Sequence, residues 1–203
     1  MKSDDADHAL ERLVFFSDAV FAIVITLLVL EIHVPELGAG ATERQWLEAL
    51  FHLLPHFGAF ALSFLVIGAL WMNHHSLFAM LQHYDPKLLW PNLLLLLTVA
   101  FLPFTTSLLV TGSLASVPFA FYAVSLLAAG LAKARLVRVA LSPGNIRAEV
   151  SAGQVEGELR RRWILPIAAS VTALLAFLVT PWNTAAMLLL PLLKRHKAFR
   201  DVT

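Results

Sequence analysis

Charged side chains are spaced so unevenly along this chain that the gaps between them define its elements. Leu13 to Leu30 carries a single charge, Asp18, while Ala49 to Asn73, Leu88 to Ala132 and Trp163 to Leu193 contain no Asp, Glu, Lys or Arg. At about 1.5 Å per residue, the first stretch covers roughly 27 Å, close to the ~30 Å hydrocarbon core of a bilayer. The last two stretches are too long for one crossing. They break at Thr111 to Pro118 and at Thr180 to Asn183, where Gly and Pro favour turns. The pattern predicts an all-α membrane protein, a single repeat over 1–203 with six transmembrane helices at about 13–32, 49–73, 88–111, 116–136, 163–180 and 182–196. The sixth is short, and Lys194, Arg195 and Lys197 complete it by snorkelling to the interface.

Composition agrees: 59% of residues are hydrophobic and 14% charged, with a mean hydropathy of +0.75, whereas soluble domains run near one quarter charged. There is no cysteine, which excludes disulfides and thiolate metal sites. The N-terminus, MKSDDADHALER, is acidic where a signal peptide is positive, so the first span is expected to be retained. With six helices and a cytoplasmic N-terminus, every Lys and Arg except Arg44 falls on the cytoplasmic side. An odd number of helices destroys that positive-inside pattern, so both termini are expected to be cytoplasmic. Trp71, Trp90, Trp163 and Trp182 fall near span ends, as an aromatic belt requires.

The first span has two faces. At about 100° per residue, Phe16, Val20, Ile23, Leu27, Leu30 and Val34 follow one line, with Ala19 and Thr26 on its flank. Asp18 points almost directly away. A lipid-facing stripe is the plain reading of the apolar line, and a polar clamp between helices that of Asp18. An intramembrane carboxylate is costly and needs a partner. Candidates stand on the second span at the same level, in Trp71-Met-Asn-His-His75, and the expected polar network comprises Arg12, Ser17, Asp18, Asn73, His74 and His75, with the histidines as donors to Asp18. Through His74 and His75 such a clamp also responds to pH.

The run from Arg12 through Phe16-Ser-Asp18 to Ile32 resembles the signature of the transmembrane protein 175 family of potassium channels. So do Trp71 to His75, Leu88 to Leu96 with its Asn92, and Leu102 to Leu108, all in the same order. The resemblance implies a potassium-permeable cation channel in the cell membrane, a bacterial homotetramer in which four copies of helix one surround a central pore. It implies that the constriction is built from large aliphatic side chains, with Ile23 as the narrowest ring, Leu27 and Leu30 continuing the stack, and Thr26 as a pore-facing hydroxyl. The neck can equally sit at Leu27. No TVGYG-like filter is present in the sequence. Ile23, Leu27 and Leu30 stand at i, i+4 and i+7, so symmetry copies stack apolar collars that gate by dewetting and give modest potassium over sodium preference. Glu31 is either an acidic ring at the outer mouth or a solvated interfacial charge. The partners implied are the homotetramer, the lipid bilayer, and potassium and other monovalent cations. No nucleic acid, metal or cofactor is expected beyond the permeant potassium ions.

The remaining motifs are weaker. His52 and His56 lack a third ligand and read as packing residues, Pro103 is expected to kink helix three, and Leu141 to Glu158 reads as a cytoplasmic linker. A histidine-box enzyme needs several clusters, and no second box exists, so no enzymatic activity is expected. A secondary transporter working by alternating access is the alternative, although neither broken-helix pairs nor an inverted repeat is visible.

Overall fold

The computed structural model of the chain describes residues 2–111 and 116–175. α1 runs Lys2–Leu27 and tightens into a 3-10 turn at Leu28–Glu31. α2 spans Glu43–His52 and α3 Leu54–Ala79. A short 3-10 turn at Pro86–Leu88 leads into α4, Leu89–Ala100, followed by α5, Leu102–Thr111, α6, Ser116–Ala140, and α7, Ala152–Arg161. Residues 164–175 are helical as well. Among the described residues four stretches are long and apolar enough to cross a membrane: His8–Glu31, Leu54–Ala79, Pro86–Thr111 and Ser116–Ala140. The fifth expected span is described only through residue 175. The sixth, with Trp182, Lys194, Arg195 and Lys197, lies outside the described residues, as does part of the turn at 111–118.

Prolines decide two breaks that hydropathy alone does not locate. The apolar stretch beginning at Ala49 holds the end of α2 and the whole of α3, separated at Leu53. Pro55 lacks an N–H and its ring clashes with the carbonyl four residues earlier, so it opens a new helix rather than continuing the old one. α2 begins with a capping box, in which the Thr42 hydroxyl accepts the Gln45 N–H and the Gln45 side-chain Oε1 accepts the Thr42 N–H. In the third span, Pro103 separates α4 from α5 at Phe101. The Phe101 N–H turns to the Val99 carbonyl, which Pro103 cannot serve, while the Thr105 and Thr106 hydroxyls donate to the Leu102 carbonyl at 3.0 and 2.8 Å.

α1 packs on α3 and α4, and α6 on α4 and α5. The core between them holds Phe21, Leu28, Ile67, Leu77, Leu95, Leu102, Leu136 and Val137, all fully buried. Lipid is as apolar as these side chains, so helix association in a bilayer depends on close packing and interhelical hydrogen bonds more than on transfer from water. Gly130 on α6 shows the packing at its tightest: a Cβ there meets Pro166 Cδ at 2.8 Å and its backbone nitrogen at 2.9 Å. Ser63 on α3, Thr106 on α5 and Tyr122 on α6 supply one polar tie, with the Ser63 hydroxyl 2.8 Å from Thr106 and 3.1 Å from Tyr122.

The segment after α6, expected as a plain linker, is stitched to the segment after α3. The Gln82 N–H donates to the Asn145 carbonyl and the Arg147 N–H to the Met80 carbonyl, around the isolated Leu81–Ile146 bridge. The Arg147 Nε donates to the Leu81 carbonyl at 2.8 Å. Gly144 permits the reversal, at a φ of 94° that other residues avoid. Asp85 accepts the Lys87 N–H and the Asn145 amide, and these donors, the backbone one first, hold its carboxyl below the usual carboxylate range.

Candidate functional site

α1 turns one line of residues into the bundle and leaves another outside it. Leu13, Ser17, Phe21, Val24 and Leu28 are buried. Their steps of four, four, three and four residues are those of one helix face. Ile23, Leu27 and Leu30 are 58%, 41% and 68% exposed in the single chain, and Thr26 between them is exposed as well. The Thr26 hydroxyl donates back to the Ile23 carbonyl at 2.8 Å, so its proton is engaged within the helix. The 3-10 turn alters the expected wheel. Side chains three apart approach eclipse in a 3-10 helix, so the turn at Leu28–Glu31 narrows the step of about 60° that separates Leu30 from Leu27 on a regular helix.

The N-terminal half of α1 is held by a directed chain of hydrogen bonds across three helices. Ser17 Oγ donates to the Leu13 carbonyl at 2.8 Å. Asn92 Nδ2 on α4 donates to Ser17 Oγ at 2.9 Å, which leaves Asn92 Oδ1 to accept from His74 Nε2 on α3 at 2.8 Å. The order of donors thereby assigns the proton of His74 to Nε2. Ser17, His74 and Asn92 are all buried, and the imidazole stacks on Phe78 at 4.4 Å with Phe21 at 5.6 Å. Its Nδ1 has no hydrogen-bond partner among the described residues.

Asp18 does not join that chain. The histidines are not its donors: Asp18 Oδ1 accepts from the indole Nε1 of Trp71 at 2.8 Å. On the helix Asp18 stands about 100° round from Ser17, so the rotation that aims Ser17 at Asn92 carries Asp18 toward the Trp71 edge of α3. His75 lies beside Trp71, with ring centroids 5.8 Å apart, and Asn73 donates to the Ala69 carbonyl on its own helix. Arg12 is exposed. Two members that the spacing missed, Asn92 and Trp71, therefore organise the site. Asn92 had a signal, being an amide within a Leu-rich span where polar groups need a reason. Trp71 stood in the candidate segment, but its place near a span end reads as an interfacial anchor, which left it out of the expected network.

At the other end of α1, Glu31 is half-buried and its carbonyl lies 3.1 Å from His33 Nδ1. Glu31 borders a cavity with about 10 Å³ open to the centre of a water molecule, shared with Leu28, His56, Phe60, Thr106 and Ser107. Among the described residues His56 Nδ1 is buried without a partner, and no group of three His, Cys, Asp or Glu side chains converges as a metal site. His56 thus lies in the packing between α3 and the end of α1.

A family profile described as endosomal/lysosomal potassium channel TMEM175 matches residues 12–103, the part that holds α1, the Trp71 to His75 segment and Asn92. The crystal structure of a lysosomal potassium-selective channel TMEM175 homolog from Chamaesiphon minutus superposes with a TM-score of 0.75 at 31% identity, covering 88% of this chain and 92% of that one. The chain belongs to the TMEM175 family. A potassium channel of a Chryseobacterium species is 37% identical over 121 residues, 60% of this chain and 59% of its own length. A potassium channel of Streptomyces collinus is 45% identical over 98 residues, 48% of this chain and 46% of that protein. The chain thus spans about half the length of these relatives. TMEM175 is an ion-channel family with several apolar helices, which supports a multi-pass membrane protein, and alternating access is not favoured by these names.

Proposed function

We propose that this TMEM175 chain is a potassium-permeable cation channel, a homotetramer of six-helix subunits with both termini cytoplasmic and four copies of α1 around the pore. Ile23, Leu27 and Leu30 form stacked apolar collars, with Thr26 and Glu31 flanking them, in place of a carbonyl-lined filter. The observation that carries this reading is the division of α1. One face is committed to the subunit's own core through Leu13, Ser17, Phe21, Val24 and Leu28, while Ile23, Leu27 and Leu30 are left uncovered by the chain that bears them. An uncovered apolar line suits an axis shared between copies, and the near alignment of Leu27 and Leu30 that the 3-10 turn favours suits successive rings. Potassium as the permeant ion is supported by the relatives, which are named potassium channels. An apolar collar offers no replacement ligands, so weakly hydrated cations pass with the least penalty and sodium is disfavoured to a modest degree.

Reversal potentials in planar bilayers under opposed potassium and sodium gradients test the reading. Ile23→Asn puts an amide from each copy at the collar and lowers the dehydration barrier, so sodium is expected to permeate nearly as well as potassium. Leu27→Asn acts in the same direction more weakly. Val29→Asn, about 120° from Leu30 in the 3-10 turn, leaves permeation alone. Unchanged selectivity and current in both the Ile23 and Leu27 variants removes these side chains from the conduction path.

A further inference from the structure

α2 is amphipathic, and the bundle leaves it uncovered. On a wheel at about 100° per residue, Trp46, Leu47, Leu50 and Phe51 share one side, interrupted by Glu43 in the first turn, while Arg44, Gln45, Glu48 and His52 share the other. The four apolar side chains are 39%, 57%, 48% and 67% exposed, and no residue of α2 is buried. Arg44 and Glu48 on the polar side pair with each other at 2.8 Å. A contiguous apolar face of this kind calls for a partner.

The next element indicates which partner. α3 follows after Leu53 alone, and Leu54, Phe57, Leu62 and Leu65 on it are exposed apolar side chains. Only 17% of α3's most apolar window is buried inside the chain, less than in any of the other three candidate spans, so much of α3 presents itself to lipid. α3 has 26 residues, roughly 39 Å of helix against a ~30 Å hydrocarbon core, long enough to span with tilt, and α2 joins its first turn through Leu53 alone, which sets α2 beside one membrane face. A helix with one apolar face, one charged face and little overall hydrophobicity lies in the interface plane.

We infer that α2 lies along the bilayer interface, with Trp46, Leu47, Leu50 and Phe51 among the acyl chains and Arg44 and Glu48 toward headgroups and water. The partner is the lipid bilayer itself, at the end of α3 remote from Arg147. The inference rests on the membrane spans and is independent of ion conduction.

Because the chain has no cysteine, single-cysteine variants accept one fluorophore each. Leu50→Cys and Glu48→Cys, labelled with NBD in phosphatidylcholine–phosphatidylglycerol vesicles, are compared for quenching by doxyl-labelled lipid and by aqueous iodide. The Leu50 label is expected to be quenched several-fold more by doxyl lipid than by iodide, and the Glu48 label the reverse. Leu47→Cys repeats the measurement should the Leu50 variant fail to fold, and Leu65→Cys, within α3, reports whether the span is seated. Iodide reaching the Leu50 label as freely as the Glu48 label overturns the inference. So does a Leu50 label that neither quencher reaches and a Leu50→Cys chain that oxidises to a covalent dimer, which makes a second copy the occupant. Loss of lipid quenching at Leu65 as well overturns the span assignment together with the inference.

Discussion

The two halves of α1 are held by different means. From Leu13 to Phe21 the helix is fastened through side-chain hydrogen bonds that cross to α3 and α4, namely Ser17 to Asn92 to His74, and beside them Asp18 to Trp71. From Ala22 to Glu31 it is held by the packing of Val24 and Leu28, ends in a 3-10 turn, and leaves Ile23, Leu27 and Leu30 bare. A hydrogen bond has a direction and a length, so the N-terminal half has one rotation about its axis. Apolar packing tolerates small shifts, so the C-terminal half can change its tilt or its last turn at lower cost. For the channel proposed above, the fastened half would set where the collars point and the packed half how wide they stand.

The largest expected effect is at the fastened half. Asn92→Leu deprives the buried His74 N–H of its acceptor and Ser17 of its donor, and should lower stability by about 3 kcal/mol, the upper range for a buried group left unpaired. Adding His74→Phe removes the orphaned donor and should restore much of that loss. Thermal unfolding followed by size-exclusion chromatography measures both, and a double variant no more stable than Asn92→Leu would separate His74 from the chain.

At the other half, Leu28→Ala should cost about 2 kcal/mol, the cavity part of the usual penalty, because lipid solvates the lost methyl groups as well as the core does. It should also change single-channel current, since it loosens the turn that carries Leu30. A drop in melting temperature with an unaltered current would show that the C-terminal half is as rigid as the other.

Asp18→Ala should have the smallest effect on stability, about 1 kcal/mol for one interhelical hydrogen bond to Trp71. Ion selectivity should stay as it is, because Asp18 lies off the Ile23–Leu27–Leu30 line. A stable, well-assembled Asp18→Ala channel with altered selectivity would put the carboxylate in the ion path and dissolve the contrast between the halves.

Much of this could be read in advance, for a definite reason. Whether a stretch can cross a bilayer depends on the sum of its own residues' transfer energies, so four spans stand in the uncharged stretches and the TMEM175 resemblance is borne out by the family profile and the solved relative. The apolar line on α1 was likewise legible, because periodicity is a property of one helix. What the line faces is not such a property.

Only the tertiary structure decided the partners. Asp18, His74, Asn92 and Trp71 are all visible in the sequence as polar or amphipathic groups at one membrane level, yet which of them meet depends on how far each helix is rotated about its axis. A rotation of about 100°, one residue's step, separates Ser17 aimed at Asn92 from Asp18 aimed at Trp71. The stitched segments around Leu81 and Ile146 and the close approach of Gly130 to Pro166 have the same origin. They are relations between distant parts of the chain, and hydropathy, which adds residues one at a time, carries no record of them.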